Sequence, residues 1–362
     1  MRKILLVATF VLLMIITACG GGEVYEPVPS PPIATPRPLP IATPTPVPTP
    51  TPPPSPPEGM AVSLLTGNYI TLEAAARRPF AVVFNNEQRG MPQGGLAQAD
   101  IIYEVIAEGS ITRIVAIFQD FDAEMIGPIR STRHYFGYFA LNHGAVMVHH
   151  GGSPAGYSII RNHGITAIDG MVYDGSTIWR DAERRQQRGL EHSSFTSAAN
   201  LLNHADSRNF DMAVPQNIGG FAFFDEPTAL NPANIANIVH VPHHSANVMQ
   251  FVFNSENMLY YKYIFGVPHM DFVGDEHLSA TNVIVQIANI SHIAGDVAGR
   301  RQVQMVGEGR GYLATHGTFA PITWVRDSVA TPTRWYDEDG APLVLNRGRT
   351  WISVIQSEPT FE

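Results

Sequence analysis

Ile101-Ile102-Tyr103-Glu104-Val105-Ile106-Ala107-Glu108-Gly109-Ser110-Ile111-Thr112-Arg113-Ile114-Val115-Ala116-Ile117-Phe118 is two β-rich runs about a Gly-Ser pair. Glycine in the first of two loop positions suits a tight type II′ hairpin turn, so the stretch reads as two antiparallel strands. That turn sets Ile106 opposite Arg113. Strand side chains alternate, so Glu104, Ile106 and Glu108 then share one face, with Arg113 between the glutamates as a diagonal neighbour. Tyr103, Val105, Ile114 and Ala116 point to a core on the other face. The polar face reads either as a structural ion-pair cluster or as part of a site. On a straight strand the two glutamates stand about 13 Å apart, beyond the roughly 5–9.5 Å of a glycosidase pair. The arginine also favours their ionised forms, which argues against an acid–nucleophile couple.

Outward from the hairpin, Phe80-Ala81-Val82-Val83-Phe84 reads as a buried strand ending at Asn85-Asn86. Gly127-Pro128-Ile129-Arg130-Ser131-Thr132-Arg133 precedes a helix carrying Phe136, Phe139 and Ala140 on one side, with Ser131 as its expected N-cap. A helix start flanked by Arg130 and Arg133 is a receptor for carboxylate or phosphate. The plainer alternative is a pair of surface arginines, or arginines bonded to Glu104 and Glu108. Ala145–His149 reads as a strand running through His150 into Gly151-Gly152, and Ser153-Pro154 as the cap and first turn of a helix. The loop lacks the lysine of a phosphate-binding Walker loop and the serine of a nucleophile elbow. His149 ends a strand, where open α/β sheets place ligands, although a lone histidine is more often a packed one. Arg180 and His192 complete the polar candidates, with Asp169, Asp174 and Glu191 nearby. Residues 182–188 read as a solvated charged stretch, and 196–205 as a helix turning Leu201 and Leu202 inward.

Past a short connection at 231–237 the pattern is mostly β, with strands expected at 248–253, 259–265, 282–290, 302–306 and 350–355. Asp337-Glu338-Asp339-Gly340, between Arg334-Trp335-Tyr336 and Leu343-Val344-Leu345, reads as a hairpin turn. His240, His243 and His244 have no further ligand set at recognised spacing, so they read as loop histidines rather than a zinc site. No metal and no cofactor is expected.

At the other end, Arg2 and Lys3, an apolar run from Ile4 to Ile16, and Ala18-Cys19 resemble a bacterial lipoprotein signal peptide with its lipobox. The run is short for a membrane span, and Cys19 is the chain's one cysteine. The resemblance implies cleavage before Cys19 and a lipid such as palmitate on its sulfur. Residues 19–58 form a Pro/Thr-rich disordered tether, read as an extended spacer of about 3.1 Å per residue. The 362-residue chain is 44% hydrophobic, carries a net charge of −9 and has 23 Lys+Arg. It thus has core enough for two domains, but neither the basic footprint of a nucleic-acid binder nor a polybasic membrane stripe.

The segments 99–104, 108–113, 127–133 and 149–153, then Trp179-Arg180-Asp181 and His192, resemble the N-terminal part of the YerB-like lipoproteins, a bacterial family of unknown function. Pro268-His269-Met270-Asp271, Gly307-Glu308-Gly309-Arg310-Gly311-Tyr312 and Thr333-Arg334-Trp335-Tyr336-Asp337 resemble its C-terminal part. Jointly the motifs are specific and span nearly everything after the tether. The resemblance implies a membrane-anchored two-part lipoprotein and supplies no reaction. The expected architecture is α+β: signal peptide 1–18, tether 19–58, an N-terminal α/β domain with a mixed sheet at 59–230, and a mainly β domain at 238–358. The leading expectation is an extracytoplasmic lipoprotein that binds an anionic envelope ligand (wall fragment, glycan or peptide). Glu104, Glu108, Arg113, Arg130, Ser131, Arg133, His149, Gly151, Gly152, Ser153, Arg180 and His192 would line its site. One rival is an envelope hydrolase or transferase, with His149 or His192 as base and Glu104 or Glu108 as its partner. Another is a non-catalytic scaffold for envelope enzymes.

Overall fold

The structure is a computed structural model that describes residues 56–362 apart from 217, 245 and 246. The lipobox, Cys19 and all but the last residues of the tether lie outside the described residues. Buried alternation and near-continuous apolar runs make the principal strands: β1 (Phe80–Asn85), β2 (Ile101–Glu108) and β3 (Ile111–Phe118). Helix α1 (His134–Asn142), β4 (Val146–His149), α2 (Pro154–Asn162), β5 (Ala167–Asp169) and α3 (Ala198–Ser207) complete the first region. The second is strand-rich: β6 (Ile238–His244), β7 (Asn247–Asn254), β8 (Leu259–Ile264) and β9 (Asn282–Ile287). It continues through β10 (Gly307–Thr315), β11 (Thr318–Arg326), β12 (Arg334–Tyr336) and β13 (Thr350–Ile355).

Ten strands from both regions join in one mixed sheet, in the order β12-β11-β10-β9-β13-β2-β3-β1-β4-β5. β13 lies between β9 and β2 and is parallel to both, while β1, β4 and β5 run parallel at the other end. A second sheet is built on β6, β7 and β8. Each face of the large sheet has its own core. On one, Val82, Phe84, Ile114 and Trp351 pack with Leu201 of α3 and with Val239, Phe251 and Tyr260 of the second sheet. On the other, Val83, Tyr103 and Ile352 pack with Tyr135, Phe136 and Phe139 of α1 and with Trp324. Covering both faces is what the apolar run of β1 and the fully buried β13 require.

Several local expectations change. Glu108 does face Ile111 across Gly109-Ser110, but the ladder then shifts by one residue between Ile106 and Glu108. Beyond this β-bulge Val105, not Ile106, faces Arg113, and Glu104 faces Ile114. A bulge puts two residues of one strand against one of its partner, so side-chain parity is reset. Glu104 and Glu108 therefore emerge on opposite faces. Ser131 does not cap α1: its N-cap is Arg133, without a side-chain bond. Ser153 does cap α2, its Oγ accepting from Gly156 N at 3.0 Å, with Pro154 in the first turn. The segment 337–340 turns as expected, with Gly340 N donating to Asp337 O. Its flanks meet in an antiparallel bridge between Tyr336 and Pro342, with Leu343 N donating to Trp335 O; beyond it β12 pairs with β11, and Val344–Leu345 with Ala222–Phe223. His240, His243 and His244 lie on β6, not in a loop. Residues 182–188 form a helix with no buried residue. No helix among the described residues is long and apolar enough to cross a membrane.

Candidate functional site

The parallel strands β1, β4 and β5 end on one side of the sheet, and the segment Arg130–Thr132 threads past those ends. Arg130 N donates to Val83 O at 2.8 Å, and Thr132 N to Gly151 O at 2.9 Å. Ser153 N donates to Thr132 O, and Ser131 Oγ to His150 O. This approach explains Gly151-Gly152. Gly151 has φ +74°, and a Cβ on Gly152 would stand 2.7 Å from Thr132 Cγ2. The glycine turn thus seats a neighbouring strand segment, and its Gly151 N–H is taken by Asp169 Oδ1 at 2.9 Å.

Threading this segment past the hairpin gathers the charges. The Glu108 carboxylate receives Arg113 on Oε2 at 3.1 Å and Arg133 on Oε1. Both guanidiniums also reach the Ser131 carbonyl, Arg113 at 2.7 Å and Arg133 at 3.5 Å. Burial pulls Arg113 down to about 9 and Arg133 to about 10, so both stay charged at neutral pH. Arg133 continues into a cavity of about 180 Å³ lined by His134, Ser153, Pro154, Asp296, Arg300 and Arg301, among others. The first turn of α2 borders it, with the favourable field of a helix start. Arg133 and His134 are each only 7% exposed. Among the described residues, Arg133 Nε, His134 Nε2, Arg300 Nε and Arg301 Nε are buried without a hydrogen-bond partner. Asp296 neutralises Arg300 at 2.8 Å. Burial and the Arg133 charge both lower the His134 pKa, so that ring is neutral at pH 7.

The remaining sequence candidates divide. Arg130 pairs with Glu191 at 3.0 Å, beside His192, whose Nδ1 takes a bond from Asn85 at 2.7 Å. Arg180 donates to Asp174 and to His150 Nε2. An arginine only donates, so the neutral His150 ring carries its proton on Nδ1 and gives it to Ser194 Oγ at 2.8 Å. That polarity is the reverse of serine activation, and Ser194 is fully buried. His149 is 1% exposed, bonded to the Gly151 carbonyl and edge-on to Tyr157. Its burial lowers its pKa. Glu104 lies on the far face, sealed with Lys262 at 2.6 Å, both fully buried. The structure therefore brings Glu108, Arg113, Ser131, Arg133 and Ser153 together, sets Arg130, Arg180 and His192 along one side, and removes Glu104.

Sequence reasoning missed His134, Arg300, Arg301 and Lys262. Lys262 had a signal: it sits on the inward phase of Tyr260, Lys262 and Ile264, where a lysine is out of place. Arg300-Arg301 had none, because their role depends on Arg300 bridging to Glu108 and Arg301 reaching Gly109 O, more than 190 residues away.

The models of the "Protein of unknown function (DUF3048)" N-terminal and C-terminal domains match residues 65–211 and 239–352. The Bacillus subtilis (strain 168) protein named "Putative lipoprotein YerB" is 30% identical over 292 residues, covering 80% of this chain and 85% of that protein. The crystal structure of the YerB protein from Bacillus subtilis superposes with a TM-score of 0.72 at 28% identity, over 83% of this chain and 99% of that one. The bulged hairpin, the threaded arginine segment and the strand-rich second region thus sit in a shared fold, and this chain belongs to the DUF3048 family of YerB-like proteins.

Proposed function

We propose that the chain is a lipid-anchored, extracytoplasmic protein that binds an anionic ligand of the cell envelope, a wall fragment, glycan or peptide. One observation carries this reading. Arg133, Arg300 and Arg301 converge on one cavity, and each has a buried Nε–H without a partner among the described residues. Buried donors without acceptors are costly, and an anion with two or three oxygens offers acceptors to several at once. The lipobox around Cys19 and the proline-rich tether support the location, and the YerB relative is itself named as a lipoprotein.

Calorimetric titration of the full chain in detergent, with inorganic phosphate and with soluble muropeptides, tests the reading. Saturable binding of at least one probe is expected. Arg301→Ala should weaken it about tenfold to a hundredfold, the worth of one charge-assisted hydrogen bond. Absence of saturable binding to either probe, or binding indifferent to Arg301→Ala, overturns the reading.

A further inference from the structure

A second polar cluster lies on the opposite face of the large sheet, where the two family regions meet. Asn86 follows β1, Glu104 is on β2 and Lys262 is on β8. Their exposures are 1%, 0% and 0%. Lys262 Nζ donates to Glu104 Oε2 at 2.6 Å, and Asn86 Nδ2 donates to Glu104 Oε1 at 2.5 Å. One carboxylate therefore holds an amine and a carboxamide side by side. Gln93 Nε2 donates to Asn86 Oδ1 at 3.0 Å, polarising the amide carbonyl. The rings of Phe251 and Trp351 stand 4.9 and 4.6 Å from Nζ and close the site to water.

We propose that Lys262 and Asn86 become joined by an intramolecular amide bond, formed with loss of ammonia and relayed by Glu104. A dry aromatic site disfavours the ammonium form. The proton passes from Nζ to Glu104 along their hydrogen bond, leaving a neutral amine beside a carboxylic acid. The amine lone pair attacks Asn86 Cγ, and the Nζ–Cγ bond forms. Gln93 Nε2–H stabilises the negative charge that develops on Oδ1. Glu104 returns its proton to Nδ2, making it the leaving group, and the former Lys262 nitrogen gives its extra proton back to the Glu104 carboxylate. The Cγ–Nδ2 bond breaks, and ammonia leaves. No oxidant, metal or co-substrate enters, and held geometry replaces the encounter of two free groups. The product fastens the N-terminal family region to the C-terminal one.

The test is a tryptic digest of the mature, full-length protein read by mass spectrometry. The expected result is no cleavage after Lys262 and a branched peptide containing Asn86 and Lys262. Its mass should equal that of the Asn86 peptide plus the peptide left uncleaved at Lys262, less one ammonia, about 17 Da. Glu104→Gln and Lys262→Met should each yield only linear peptides. The wild-type digest decides the matter even if a variant fails to fold. Linear Asn86 and Lys262 peptides at full mass overturn the proposal, as does a branched peptide that persists in Glu104→Gln.

Discussion

Replacing Glu108 by alanine removes the carboxylate between Arg113 and Arg133, whose side chains are 6% and 8% exposed. Breaking a fully buried pair costs about 3–5 kcal/mol, because the remaining charge loses its partner. Glu108 is 17% exposed, so some water reaches the gap, and we discount the cost to about 2–3 kcal/mol. The vacancy lies beside Arg133, which lines the arginine cavity, and a bound anion can take the carboxylate's place. Phosphate at a hundred times its Kd returns about 2.7 kcal/mol, enough to cancel the deficit. The assay is equilibrium urea unfolding of wild type and Glu108→Ala, with and without phosphate at constant ionic strength. The expected pattern is a destabilised variant that phosphate stabilises more than it stabilises wild type. Equal stability without phosphate refutes the ion-pair argument. Equal stabilisation of both proteins by phosphate refutes the shared use of Arg133.

Three further outcomes follow from the packing and the titrating groups. Gly152→Ala drives a methyl against Thr132 Cγ2 and should lower stability by about 1–3 kcal/mol, measured as a shift in the urea midpoint. Trp351→Ala empties the junction between the two sheets and should cost about 3–5 kcal/mol, read by the same assay. Burial holds His143 down at about 4 and His269 at about 3, whereas burial lifts Asp100 to about 7. Between pH 4 and 6.5 the unfolded chain takes protons on both histidines that the folded one refuses, so stability falls as pH falls. Asp100 binds its proton more readily when folded and offsets one histidine across that window. These three groups together contribute about 1.4 kcal/mol per pH unit, and His243, also held down by burial at about 4, steepens the fall. An unfolding free energy that is flat or rises on acidification across this window contradicts the assignment.

The sequence showed the elements better than their joins. The turn at Gly109-Ser110 and the cap at Ser153 were legible because each depends on adjacent residues. The bulge after Ile106 was not, because nothing local marks Ala107 as the extra residue, and that one residue decides which glutamate meets Arg113. The anion cavity was half legible. Arg133 and Ser153 lie in motifs that signal helix starts, but Arg300 and Arg301 arrive from the other family region by tertiary packing alone. Lys262 was visible as a charge on the apolar phase of a strand, yet its partner Glu104 was assigned to the wrong face by the missing bulge. Strand parity carries an error of one residue to every side chain beyond it.

The position of β13 matters for how the molecule is made. Residues 350–355 fill the slot between β9 and β2, so the first five strands can zip together early, but the slot stays vacant until residues 350–355 have been made. Until then β2 shows a bare backbone row to any passing strand. A chain made from its amino end therefore carries that row unguarded until β13 is complete. The large sheet closes only when β13 docks between its two halves.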